Sequence, residues 1–315
     1  MRNHFLRAGR VANLPSGGGG SSIVDTDLYV HYDFSDTNCW NRQSGTNTDD
    51  YTIHNLANDY NDGLLRSRTG ASNSYRDASD SPCIDFNSSD GGGCIEFIPS
   101  NNSSDADDCS IVIPGSISST NTSAWTYNIT PVGSTDTNNL FKGIDNGAYT
   151  IEVWVRYYLD HSAYFLSDSK IVYAFSKNSS NTTAYHIPYV YGPNYSNASR
   201  RNKIRVVLGS FSATEQIPIS GVPSSGAAWS DWMHFVYSRN SNTANDTKIY
   251  LNNSLEATSR ENHSLDHMYM FSVEEVADSN RIPKRLGIFR FYRGKALTSS
   301  EVTTNWNAQK SRFGH

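Results

Sequence analysis

The stretch that decides the fold is residues 281–315, which reads RIPKRLGIFRFYRGKALTSSEVTTNWNAQKSRFGH. Its apolar and aromatic side chains are Leu286, Ile288, Phe289, Phe291 and Tyr292. Residues of these types are enriched in β-strands, so we expect a strand over 286–292. A basic turn follows, and Leu297 ends the apolar run. The chain is therefore expected to close with a strand, a turn and a short helix.

The expected helix begins with a recognisable start signal. Thr298 and Glu301 have the spacing of a capping box, in which each side chain satisfies a helix amide that has no partner. Val302 and Trp306 are four residues apart, so they share one face of the helix. We expect Trp306 and Phe313 to pack the helix and the tail onto the rest of the fold as a structural lock.

Composition favours strands and turns over helices. The 315 residues are rich in Asn, Ser, Thr, Gly and Tyr. A net charge of −5 is too small to indicate a nucleic-acid partner. No apolar run approaches the roughly 18 residues that cross a membrane. The sequence therefore predicts an all-β protein that binds neither nucleic acid nor membrane.

Short apolar segments recur between polar turns, as in an antiparallel sandwich. They cover residues 28–34, 83–86, 94–98, 149–157, 170–175, 203–208, 232–237 and 247–251. In the longest, Tyr149, Ile151, Val153 and Val155 alternate onto one face. The polar stretches 99–148, 176–202 and 212–230 are expected to be long loops of a single domain over residues 23–315.

The order of these segments resembles one family. Four segments follow one another as in concanavalin A-like lectin/glucanase domains. They are the opening segment 28–36, the segment 53–65, the strand 149–154 and the closing stretch. These are laminin-G-like jelly rolls, here in the form found in phage and large-virus structural proteins. The resemblance implies a two-sheet antiparallel jelly roll over roughly residues 27–314. Residues 54–58 depart from the family's usual turn. Function does not follow from this fold, which hosts lectins, hydrolases and structural modules.

Residues 1–22 lie outside the resemblance. They carry Arg2, Arg7 and Arg10 and then the run SGGGGSS, which is typical of a flexible linker. We interpret this segment as an assembly arm that gains order on a neighbouring protein; a solvated tail is the alternative. No secretory signal is recognisable, so synthesis in a cytoplasm and reduced cysteines are expected. The sequence does not decide whether Cys83 and Cys94 form a disulfide bond across a hairpin.

Catalytic patterns are not found. The relatives that hydrolyse glucans carry a Glu-x-Asp-x-x-Glu spacing, whereas Glu152 is alone on its strand, where we expect it to be exposed. No Gly-x-Ser-x-Gly motif occurs. His31 and His234 are interpreted as packing or surface residues. The sequence therefore predicts that the protein is not an enzyme.

Carbohydrate binding has one candidate patch. Tyr185, Tyr189, Tyr191 and Tyr195 lie close together in the chain, in what we expect to be an asparagine-rich loop. Tyrosine rings can stack on the apolar faces of sugars, although they also fill strands and interfaces. The basic run 200–203 is interpreted as ordinary surface charge.

Calcium is a possible cofactor, because many lectin-like jelly rolls hold it with loop oxygens. Asp105, Asp107 and Asp108, or Asp85 and Asp90, are the acidic candidates, and none follows a defined motif.

The sequence as a whole predicts a non-catalytic virion structural protein. It would be a capsid decoration or appendage subunit, assembled in the host cytoplasm and anchored by its arm. Its partners would be other virion proteins and further copies of itself. The alternatives are a tail-fibre lectin that binds host surface glycans and, less favoured, a polysaccharide-degrading enzyme.

Overall fold

The fold is taken from a computed structural model. The structure describes residues 22–40, 52–58, 62–69, 74–77, 84–97, 109–114, 147–161, 168–170, 172–177, 182–186, 188–208, 211–241, 243, 246–259, 268–273 and 282–315. The arm residues Arg2, Arg7 and Arg10 lie outside this part of the chain, so the division into an arm and a domain at residue 22 stays a prediction.

Twenty strands and one α-helix occur in the described part of the chain. The first ten strands are β1 (Leu28–Asp33), β2 (Thr52–Ile53), β3 (Gly63–Thr69), β4 (Ser74–Asp77), β5 (Ile84–Asn87), β6 (Cys94–Phe97), β7 (Cys109–Pro114), β8 (Tyr149–Asp160), β9 (Asp168–Lys170) and β10 (Val172–Lys177). The others are β11 (Thr182–His186), β12 (Pro188–Tyr191), β13 (Lys203–Leu208), β14 (Phe211–Pro218), β15 (Ala227–Trp229), β16 (Met233–Arg239), β17 (Thr247–Leu251), β18 (Ser254–Ser259), β19 (Met268–Val273) and β20 (Lys284–Arg293). Helix α1 spans Ser299–Gln309.

Hydrogen bonding divides the strands into three antiparallel sheets. The first sheet has the order β18-β17-β16-β8-β20-β6-β5, with β1 also paired to β20 and β15 to β8. The second has the order β11-β10-β19-β7-β3-β2, with β4 on β3, and the third has the order β14-β13-β12-β9. The expected all-β antiparallel fold with one short helix is confirmed. The jelly-roll connectivity that the resemblance implies stays a prediction.

Strand β8 organises the core from the middle of the first sheet, between β16 and β20. Its alternation puts Ile151, Val153 and Val155 into one buried cluster, as predicted. Ile113 of the second sheet and Ile204 of the third belong to the same cluster. This core therefore joins all three sheets, and β8 contributes every second side chain to it.

Helix α1 covers the other face of the first sheet. Its start is the predicted capping box: the Thr298 hydroxyl accepts the Glu301 amide at 3.3 Å, and the Glu301 carboxylate accepts the Thr298 amide at 2.8 Å. Trp306 stacks on Trp154 of β8 at 5.2 Å between ring centroids, and Phe313 does so at 4.3 Å. The expected structural lock is therefore confirmed.

Two expectations about loops need correction. Residues 176–202 and 212–230 contain strands β11, β12, β14 and β15 instead of continuous loops. The sequences of β11 and β14 are mostly polar, and β12 and β15 are only four and three residues long, which is why hydrophobicity alone does not reveal these strands. The predicted hairpin of β5 and β6 is confirmed, and Cys94 within it is a buried free thiol.

Candidate functional site

A buried charged network lies between the first sheet and helix α1. Glu152 accepts a hydrogen bond from Arg290 Nη1 at 2.7 Å and lies 2.9 Å from His234 Nε2. All three side chains have no exposed surface. The expectation that Glu152 is exposed is therefore wrong, because α1 covers the sheet face on which it stands.

Helix α1 closes this network with one asparagine. The Asn305 amide donates to Glu152 at 2.7 Å and to the Tyr292 hydroxyl at 2.8 Å. Its carbonyl oxygen accepts the Val24 amide at 2.8 Å, and the Tyr292 hydroxyl donates to the Val24 carbonyl. One side chain thus joins the helix, the sheet and the point at which the N-terminal segment reaches the fold.

Electrostatics keep Glu152 ionised and His31 neutral at neutral pH. Burial alone would raise the pKa of Glu152, but Arg290 and His234 outweigh it and lower the pKa to about 2. Burial and then Arg290 lower the pKa of His31 to about 3, so this histidine is neutral. Since none of these side chains is exposed by more than 4%, the network stabilises the fold and offers no surface to a ligand.

A second charged group lies on the exposed part of the same sheet face. Arg285 donates to Glu96 at 2.7 Å and to Asp90 at 2.6 Å, and Arg156 donates to Asp90 at 3.1 Å. The Arg285 guanidinium lies 4.0 Å from the ring centroid of Trp229. We call these five residues the Trp229 patch. Its two arginines and two carboxylates balance each other, so it presents an aromatic ring with no net charge.

The four predicted tyrosines do not occupy one loop. Tyr185 lies in β11, and Tyr189 and Tyr191 lie in β12. The side chains of Tyr185 and Tyr189 are outside the part that the structure describes. Tyr195 follows β12 and is partly exposed, whereas Tyr191 is only 3% exposed. The structure brings Tyr191 and Tyr195 together, with 4.1 Å between ring centroids.

The position of Tyr195 is fixed by its neighbour in the chain. The Asn194 side-chain amide donates to the carbonyl oxygens of Asp160 at 3.2 Å and of His161 at 2.6 Å. The turn that carries Tyr195 is therefore tied to the end of β8. A ring held in this way loses little freedom when a ligand stacks on it.

Three arginines surround this tyrosine pair. Arg205 Nη1 donates to the Tyr191 hydroxyl at 3.1 Å, and Arg201 Nε donates to the Tyr195 carbonyl at 2.7 Å. The Arg200 guanidinium lies 6.0 Å from the Tyr191 ring centroid. We call these five residues the tyrosine–arginine surface.

The third sheet gives this surface its orientation. Val190 of β12 and Ile204 of β13 point into the core. The flanking Tyr191 and Arg205 therefore stand on the opposite face. Arg200 is the last residue of a single-turn 3-10 helix, and Arg201 follows it. The Asn197 side chain caps the start of this helix by accepting a hydrogen bond from the Ser199 amide at 3.1 Å.

Sequence reasoning missed the arginines as part of this site. The run 200–203 predicts ordinary surface charge as long as the pairing of β12 with β13 is unknown. The signal was present: Lys203 and Arg205 flank the buried Ile204, and Pro188 opens a short strand just before Tyr191. Pairing these two strands, as the structure does, brings the basic and aromatic faces together.

The calcium candidates separate into two groups. Asp105, Asp107 and Asp108 lie outside the described residues. Asp85 is exposed, and Asp90 pairs with arginines in the Trp229 patch. Within the described part of the chain, no three His, Cys, Asp or Glu side chains are grouped so that they could hold a metal ion. No helix among these residues is long and apolar enough to cross a membrane.

Comparisons with known proteins found similarity of structure but not of sequence. No protein-family model and no curated protein matches the sequence. One similar structure is domain 4 of AbnA, a GH43 extracellular arabinanase from Geobacillus stearothermophilus, in complex with arabinotriose. It shows 14% identity and a TM-score of 0.48, over 92% of this chain and 100% of that domain.

Two further similar structures belong to longer chains. A mutant Trypanosoma rangeli sialidase displaying trans-sialidase activity shows 11% identity and a TM-score of 0.48, over 94% of this chain and 35% of the sialidase. The botulinum neurotoxin serotype D/C binding domain shows 10% identity and a TM-score of 0.46, over 90% of this chain and 53% of that one. This chain thus spans about a third of the sialidase and half of the toxin domain.

The prediction that the protein is not an enzyme is wrong, because it excluded a class of function that similar structures include. The structures that resemble this chain include one domain of an arabinanase and about a third of a sialidase, so the fold does not separate this chain from parts of enzymes. The missing Glu-x-Asp-x-x-Glu spacing argues against one particular arrangement of carboxylates, and it does not exclude catalysis by another.

Proposed function

We propose that the protein is a carbohydrate-recognition module that binds glycans through the tyrosine–arginine surface. The observation that carries this proposal is the Tyr191–Tyr195 pair. One ring is partly exposed, the other is buried and packs against it with 4.1 Å between ring centroids, and Asn194 ties the turn to β8. An aromatic ring that is rigid and partly exposed suits stacking on the apolar face of a sugar ring.

The arginines supply the directional part of recognition. A guanidinium presents several N–H donors in a fixed plane, and sugar hydroxyls accept such hydrogen bonds. Arg200 and Arg201 belong to the same short segment as Tyr195, so a sugar stacked on that ring lies within reach of their side chains. Aromatic stacking and polar donors together are the combination that a compact glycan site requires.

A glycan array with purified wild-type protein, Tyr195→Ala and Tyr158→Ala tests this proposal. Tyr158 is the matched control, because it is also a partly exposed tyrosine but contacts Trp229 at 5.5 Å in the other aromatic region. We expect wild type and Tyr158→Ala to bind the same glycans and Tyr195→Ala to lose them. Folded wild-type protein that binds no glycan, or full binding by Tyr195→Ala, would overturn the proposal.

We further propose that this module acts in a virion, as a decoration or appendage subunit held by residues 1–22. The opening and closing segments resemble virus and phage structural proteins, and the arm is basic and glycine-linked. The contacts of Val24 with Asn305 and Tyr292 support an arm that leaves the fold beside α1. Binding of host glycans would then make the module a receptor-binding part of the particle.

Deleting residues 1–22 tests the virion proposal separately. The deletion stops two residues before Val24, so the contacts of Val24 with the fold are kept. We expect the shortened protein to fold, to bind glycans as before and to fail to enter particles when co-expressed with the other structural proteins. Unchanged incorporation would contradict the docking role of the arm.

A further inference from the structure

We propose that the tyrosine–arginine surface selects anionic glycans, whose sugars carry carboxylate or sulfate groups, over neutral ones. This inference rests on the proposed carbohydrate function and names its ligand class. It starts from the charge of the surface: Arg200, Arg201 and Arg205 converge on two tyrosines, and no carboxylate pairs with any of the three among the described residues.

The same protein shows what a balanced arginine cluster looks like. In the Trp229 patch, Arg285 contacts both Glu96 and Asp90, and Arg156 shares Asp90. Each cation there already has its anion, so an incoming charged sugar would have to displace one. At the tyrosine–arginine surface the cations contact a ring, a hydroxyl and a backbone carbonyl, none of which neutralises a charge. A ligand anion can therefore bind these cations without displacing any carboxylate that the described side chains place on them.

The environment of Arg205 strengthens the attraction for an anion. Its Nε is buried and has no hydrogen-bond partner among the described residues, while Nη1 is held by the Tyr191 hydroxyl. A guanidinium that is partly removed from water interacts more strongly with a nearby charge than one in bulk solvent, because the local dielectric is lower. The orientation is also fixed, so little side-chain entropy is lost on binding.

Arginine chemistry selects the ligand group. Carboxylates and sulfates present two or three oxygens in a geometry that matches the guanidinium fork, and charge-assisted hydrogen bonds are about twice as strong as neutral ones. The chain as a whole carries a net charge of −5, which opposes anions at long range. Selection must therefore come from the local surface and must weaken as salt screens it over about 10 Å at 0.1 M.

The test measures dissociation constants by calorimetry for three oligosaccharides of equal length: an unsulfated uronic-acid copolymer, its sulfated form and a neutral N-acetylglucosamine oligomer. The proteins are wild type, the double variant Arg200→Gln and Arg201→Gln, and a control with Lys248→Gln and Lys310→Gln. Both double variants remove the same charge, but the control cations lie on β17 and after α1. Tyr195→Ala is the fourth protein.

We expect wild type to bind at least one anionic probe about tenfold or more tightly than the neutral one at low salt, in line with the loss of one charge-assisted hydrogen bond. The arginine double variant should lose that preference, and its affinity for the neutral probe should fall by less than its affinity for the anionic probes, because glutamine amides can still donate to sugar hydroxyls. The lysine control should behave as wild type, and Tyr195→Ala should weaken binding of every probe. Comparison of the two anionic probes distinguishes carboxylate from sulfate recognition.

Failure of this inference is distinguishable from failure of the proposed function. Equal affinity for neutral and anionic probes would overturn anion selection and leave carbohydrate recognition standing. An anion preference that survives in the arginine double variant would also overturn it, because the selecting charge would lie elsewhere. If folded wild-type protein binds none of the probes and no glycan on the array, the proposed function itself is wrong.

Discussion

Arg290 and Glu152 form an ion pair at 2.7 Å on the outer face of the first sheet, and neither side chain has any exposed surface. The pair exists in this form because α1 packs over it and Asn305 contributes a further hydrogen bond. Two charges removed from water are tolerated when they pair with each other, and removing one of the two is costly. The pair therefore couples the end of the chain to the middle of the sheet.

Glu152→Gln tests this coupling. The substitution leaves Arg290 buried without an anion, so we expect the free energy of unfolding to fall by about 3–5 kcal/mol. Glu256→Gln is the matched control, since Glu256 is exposed on β18, and should change stability by less than about 0.5 kcal/mol. Urea unfolding followed by tryptophan fluorescence measures both. Equal small effects of the two substitutions would show that the pair is not important for stability.

The neutral state of His31 predicts a specific loss of stability in mild acid. Its pKa falls from 6.5 to about 3 in the folded protein, where it faces Arg290, Asp33, Glu152 and Arg312. The unfolded state thus binds this proton more readily. Its stabilising contribution is complete above pH 6.5 and declines as the pH falls toward 3. At pH 5 the expected loss is about 2 kcal/mol.

His31→Gln removes this titration and should flatten the decline between pH 7 and pH 5. Glu152 does not interfere in that range. Its pKa falls from 4.5 to about 2, so the stability it contributes is present above pH 4.5 and is lost only below that. The measurement is the urea midpoint of wild type and His31→Gln at both pH values. An unchanged decline in the variant would assign the effect to another group.

The packing of Phe313 explains why a glycine occupies position 287 of β20. A Cβ atom on Gly287 would lie 2.6 Å from the Phe313 ring, which also stacks on Trp154. We expect Gly287→Ala to cost about 1–3 kcal/mol through overpacking. Phe313→Leu in the Gly287→Ala background should restore part of that stability, because the smaller side chain makes room. Strictly additive losses in thermal unfolding would contradict this contact.

The capping box makes a smaller prediction. Thr298→Ala removes the acceptor of the Glu301 amide and should lower stability by about 1 kcal/mol. Thr304→Ala is the control, because Thr304 lies inside α1, where alanine is the better helix former. The first substitution should lower the thermal midpoint and the second should not. The reverse order would show that α1 does not begin at this box.

Local patterns predict the elements of this fold well when neighbours in the chain decide them. The inner face of β8 follows from strict alternation, and the start of α1 follows from Thr298 and Glu301. The outer face of β8 does not follow, because Glu152 is covered by Asn305, which lies 153 residues later in the chain. An acidic side chain on a strand predicts exposure unless that distant cover is known.

The candidate site shows the same limit. Tyr191 and Tyr195 are recognisable as a patch because they are close in sequence. The role of Arg205 depends on the pairing of β12 with β13, which brings its guanidinium to the Tyr191 hydroxyl. A basic run and a tyrosine cluster, considered separately, are both ordinary surface features. Their combination is visible only after the strands are paired.

Mapping by NMR is the decisive test of glycan binding at the tyrosine–arginine surface, because it locates the ligand. Backbone amides of isotope-labelled wild-type protein would be followed during titration with the anionic oligosaccharide that binds best. We expect the largest shift changes to fall within residues 191–205, and we expect Tyr195→Ala to abolish them. Large changes confined to the Trp229 patch or to other residues, with 191–205 unaffected, would contradict it.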